Sequence, residues 1–143
     1  MRRTIFAQRH YICRKYIMKE PLNLLTIIAD SDIHPLFGSN IAQALESTFG
    51  NEASSHSYRA AGVICSLFLS VILEKLPSAI LNSYVHNIKE SCSLFSFDCK
   101  SYEAIYQAMK EKKTILLCNN GEQKEVLIDK NTFFEALDFI TNI

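Results

Sequence analysis

Residues 53–76, ASSHSYRAAGVICSLFLSVILEKL, hold the stretch whose reading decides the fold. Between Ala60 and Leu73 the only hydrogen-bonding side chains are the hydroxyls of Ser66 and Ser70. A helix that is apolar on nearly every side is either a bilayer span or the central helix of a protein core. The apolar run is 14 residues long, with Arg59 before it and Glu74 and Lys75 after it. A span needs about 20 residues. The run therefore predicts a buried central helix, opened by Ser54 or Ser55 and closed ahead of Pro77. Gly62, Ser66 and Ser70 recur every four residues and make one narrow, small-residue face on which another helix can pack closely. No other candidate span follows, so a soluble protein is expected.

On the N-terminal side, Ser39 or Asn40 is placed to cap a helix that buries Ile41, Ala44, Leu45, Thr48 and Phe49, and Gly50 is placed to end it. Pro21 followed by LNLLTIIAD is too short for periodicity to separate a helix from a buried strand. On the C-terminal side, Ile80, Leu81, Tyr84, Val85 and Ile88 form an amphipathic stripe with Asn82, Ser83, His86, Asn87 and Lys89 facing out. LFSFDC alternates like a short strand or an extended connection. Asp98 or Ser101 then caps a helix with Tyr102, Ile105, Tyr106 and Met109 inward.

The strongest local signal is TILLCNNGEQKEVLI, in which Asn120-Gly121 separates two strand-like runs. That dipeptide predicts a two-residue type I′ turn. Such a turn pairs Leu117 with Lys124, Leu116 with Glu125 and Ile115 with Val126. Thr132 and Glu135 read as the capping box of a last helix that buries Phe133, Phe134, Leu137 and Ile140. The expected fold is α+β and mostly helical. Amphipathic helices surround the central helix, and a hairpin over about residues 114–128 precedes the terminal helix.

The chain has 143 residues, 48% of them hydrophobic and 21% charged, enough for one core and too little charge for disorder. Its 5 cysteines are odd in number and show no CxxC spacing, which points to free thiols in a reducing, cytoplasmic compartment. The opening residues lack the apolar stretch of roughly 7–15 residues that a secretory signal needs. The formal charge of zero conceals two unlike parts. Residues 1–17 carry Arg2, Arg3, Arg9, Arg14 and Lys15 with no acid, whereas residues 18–143 hold 10 basic and 15 acidic residues. The first segment reads as a basic arm, a translated leader ahead of Met18, an edge strand or a transit peptide. The rest reads as a single globular domain.

The chemistry-bearing candidates are few. In DSDIH, the alternate spacing of Asp30, Asp32 and His34 on an extended segment sets three donors on one side, where a divalent metal could collect them. A strand followed by DxD also opens haloacid-dehalogenase-like phosphatases, but that fold needs a larger parallel sheet. The plainer reading is that the two aspartates turn the chain ahead of His34-Pro35. Cys92 and Cys99 lie in expected loops, with His86 six residues before Cys92, and no spacing obliges thiol and imidazole to meet. The four histidines are scattered, and no glycine-rich phosphate loop or GxSxG is present. No cofactor is expected. The acidic globule opposes nucleic acid.

By elimination the chain is expected to be a non-enzymatic protein-binding domain. An acidic protein of this size resembles a bacterial immunity protein or antitoxin, whose carboxylates steer it onto a basic, nuclease-like toxin and occlude the active site. A secretion chaperone or adaptor is one alternative, and a small metal-dependent hydrolase using Asp30, Asp32 and His34 is another. The expected docking carboxylates are Glu122, Glu125 and Asp129 on the hairpin, with Glu103 and Glu111. A homodimer remains open, since an exposed hairpin can pair edge to edge.

Overall fold

A computed structural model of the chain describes residues 37–143 apart from Cys92 and Gly121. Residues 1–17, the apolar run after Pro21, the Asp30-Asp32-His34 cluster and Cys92 therefore lie outside the described residues. Within them the fold is α+β and mostly helical, with five α-helices and one antiparallel hairpin. The helices are α1 (Ser39–Phe49), α2 (Ser55–Glu74), α3 (Ser78–Ser91), α4 (Tyr102–Ala108) and α5 (Lys130–Thr141). Strands β1 (Lys113–Leu117) and β2 (Gln123–Leu127) stand between α4 and α5.

Helix α2 is the centre, touching α1, α3, β1 and α5. It starts where the Ser54 hydroxyl accepts the Ser57 N–H, which supplies an acceptor for one of the free amides of the first turn. It stops at Lys75, whose φ of 58° turns the chain left-handed. Its 20 residues are long and apolar enough to cross a membrane by length and composition alone, yet 67% of that window is buried inside the fold. Packing thus accounts for the apolarity, apart from Ile72 and Leu73, which are exposed at the C-terminal end.

The small-residue face does two jobs along its length. At Gly62 the backbone of Gly38 and the first turn of α1 come close enough that no side chain fits between them. Farther along, the face receives a strand rather than a helix. The Ser66 hydroxyl meets Thr114 Oγ1 at 2.7 Å, and Ser70 Oγ accepts the Leu117 N–H at 2.9 Å. Asn40 Nδ2 donates to the Lys113 carbonyl from the other side. These three bonds satisfy polar groups of β1 that would otherwise be costly to bury, and all of Thr114, Ile115, Leu116 and Leu117 are buried.

Several local expectations shift by a residue or more. The N-cap of helix α1 is neither Ser39 nor Asn40: Gly38, at φ 78°, occupies it, and Asn40 spends its side chain on β1 instead. The terminal helix is capped by Asp129, whose carboxylate accepts both the N–H and the hydroxyl of Thr132, so Thr132 sits inside the first turn. LFSFDC pairs with no strand; it is an extended connection whose Phe95 and Phe97 rings close on Phe49, Tyr58 and Tyr102.

The hairpin differs most. Leu117 pairs with Gln123, Leu116 with Lys124, Ile115 with Glu125, and Thr114 with Val126. This is one residue off the register that a two-residue turn would impose. Five residues, 118–122, connect the strands, and across that connection the Cys118 N–H donates to the Glu122 carbonyl at 2.7 Å. Asn120 Oδ1 accepts the Glu122 N–H, supplying the bond a tighter turn would have made through the backbone. A slip of one residue exchanges every side chain of β2 between faces, so the difference decides which residues reach α2.

Candidate functional site

The described residues that sequence reasoning singled out gather around the hairpin and the start of α5. Lys113 stands between two of them, with its Nζ 3.3 Å from Glu111 Oε1 and 3.2 Å from Glu125 Oε2. The carboxylate hydrogen bonds, Glu125 first, raise the Lys113 pKa above the ordinary lysine value. Glu103 is bonded by Gln107 Nε2 at 2.8 Å and by Lys130 Nζ at 2.9 Å. Those two donors hold its carboxyl below the usual range. Lys130 and Lys112 also flank the Tyr106 ring, at 5.9 and 5.0 Å from its centroid. Glu122 closes the hairpin loop.

The structure therefore brings Glu111 and Glu125 together on one lysine, sets Glu103 beside Lys130, and uses Asp129 as a helix cap. The face is a mosaic in which most carboxylates already have a basic or amide partner. Exposed pairs of this kind are individually weak and salt-screened, but they lower the net negative potential that long-range steering of a basic partner would draw on.

A second cluster, absent from the sequence reading, lies at the other end of β2. Glu74, from the last turn of α2, receives Lys124 Nζ at 3.2 Å on one oxygen and the Cys118 thiol at 3.5 Å on the other. Burial, with Glu74 second, pushes the Cys118 thiol up. It is thus held as the poorly nucleophilic neutral form. Burial likewise pushes the Cys65 thiol up, as for a small hydrophobe in a core. Cys99 is exposed, and His86 pairs with Glu90 one turn along α3 at 3.2 Å. Among the described residues, no three His, Cys, Asp or Glu side chains converge as a metal site would require. The Glu74 cluster joins positions 44 to 50 residues apart, which no local spacing could have disclosed.

Asp129 offers a test by pH. Thr132, through its backbone N–H first and its hydroxyl second, holds this carboxyl below the usual range. The folded value is the lower one, so the stabilisation is complete above the unfolded value of about 4 and vanishes as pH falls through the folded value. Asp129→Asn keeps an oxygen acceptor for the cap and removes the charge. The variant is expected to unfold near the native midpoint at pH 7 and to show a shallower loss of stability below about pH 4. Denaturant titrations at a series of pH values measure this, and an unchanged acid limb would count against it.

Compared with known proteins, the α+β domain with this charged hairpin matches no protein-family model, and no solved structure matches it. One sequence relation stands out. Over 115 residues the chain is 31% identical to a 3-dehydroquinate synthase of Parabacteroides distasonis, a similarity taking in 72% of this chain and 33% of that enzyme. The chain thus spans about a third of the length of the curated relative it matches.

Proposed function

We propose that the chain works as a helical module of the 3-dehydroquinate synthase type, acting through protein–protein contact together with the remaining parts of such a catalyst. The observation carrying this reading is the 31% identity over 115 residues. Lys113, Lys124 and Lys130, with their carboxylate partners, supply polar groups suited to the rim of such a contact. The reducing cytoplasm is the proposed compartment.

Complementation tests the proposal. In a strain lacking 3-dehydroquinate synthase, the chain would be supplied together with the portion of the Parabacteroides enzyme outside the aligned third. Formation of 3-dehydroquinate is expected from the pair and from neither part alone. If the two parts do not co-purify and no product forms, the reading is overturned.

The second reading is a neutralising partner protein of the immunity or antitoxin type, favoured by the excess of 15 acidic over 10 basic residues from Met18 onward. It requires capture of one basic partner with salt-sensitive affinity. A partner whose affinity is indifferent to salt would count against it.

A further inference from the structure

We draw no further inference here: the strongest candidate, the exposed apolar patch of Ile72 and Leu73 at the C-terminal end of α2, carries nothing, because nothing among the described residues shows what covers it.

Discussion

Gly62→Ala is expected to destabilise the domain by about 2 kcal/mol, although the same change inside an ordinary helix stabilises by about 1 kcal/mol. The reversal comes from the crossing of α1 over α2. A Cβ built on Gly62 runs into the Gly38 carbonyl oxygen, and it also meets the Ala42 nitrogen at 3.1 Å and the Ala42 Cβ at 3.2 Å. The first obstacle is backbone, so no rotamer relieves it, and α1 must move away from the core it shares with α2. Its buried residues Ile41, Ala44 and Leu45 would then lose contacts. Gly38 is bound to the same site from the other side. At φ 78° its own Cβ would be strained, and that atom would lie 2.6 Å from the Gly62 carbonyl carbon and 2.7 Å from the Val63 nitrogen. Urea or thermal unfolding of Gly62→Ala measures the effect, and a midpoint at or above the native one would show that the crossing is looser than described.

The second large effect is expected at Ser70. Its hydroxyl donates to the Ser66 carbonyl and accepts the Leu117 N–H, all within the buried interior. The Ser66 carbonyl is also within reach of the helix ladder, so losing the donor matters little. Losing the acceptor leaves a buried strand amide without a partner, which costs roughly 1–3 kcal/mol. Against that, alanine is the better helix former by about 0.5 kcal/mol. The net expectation for Ser70→Ala is a loss of roughly 1–2 kcal/mol, accompanied by faster exchange of the Leu117 amide. Ser70→Thr keeps the oxygen and separates loss of the bond from any change in size. Equal stability of the alanine variant and the native protein would mean that β1 is held by apolar packing alone.

The two sites show how much of the fold could be read before the structure. Helix α2, the stripe of Leu81, Tyr84 and Ile88 in α3, and the hairpin near Asn120 were all legible, because each rests on local periodicity or on turn chemistry. The small residues of α2 were legible too, but as a helix-packing seam. Two of its three residues bind a strand through hydroxyls, since Ser66 and Ser70 can act as polar anchors as well as small spacers, and only the neighbour decides which. The register was misjudged for a related reason. A two-residue turn at Asn120-Gly121 would bond the Leu117 backbone to Lys124, whereas the buried Ser70 hydroxyl already holds the Leu117 N–H on the other side of β1.

The candidate site was less legible still. Glu103, Glu111, Glu125 and Asp129 were identifiable as carboxylates near the hairpin, but not as partners of Gln107, Lys130, Lys113 and Thr132. A net charge counts side chains without saying which are neutralised by a neighbour a few ångströms away.

Patterns repeated every two or four residues were enough to specify a buried central helix, the helices around it and a hairpin, because burial of one face recurs with the geometry of the element. The close contact at Gly62, the strand register and the pairing of Glu74 with Cys118 and Lys124 needed the assembled chain. These contacts join groups dozens of residues apart, and their energies depend on distances that local spacing does not encode.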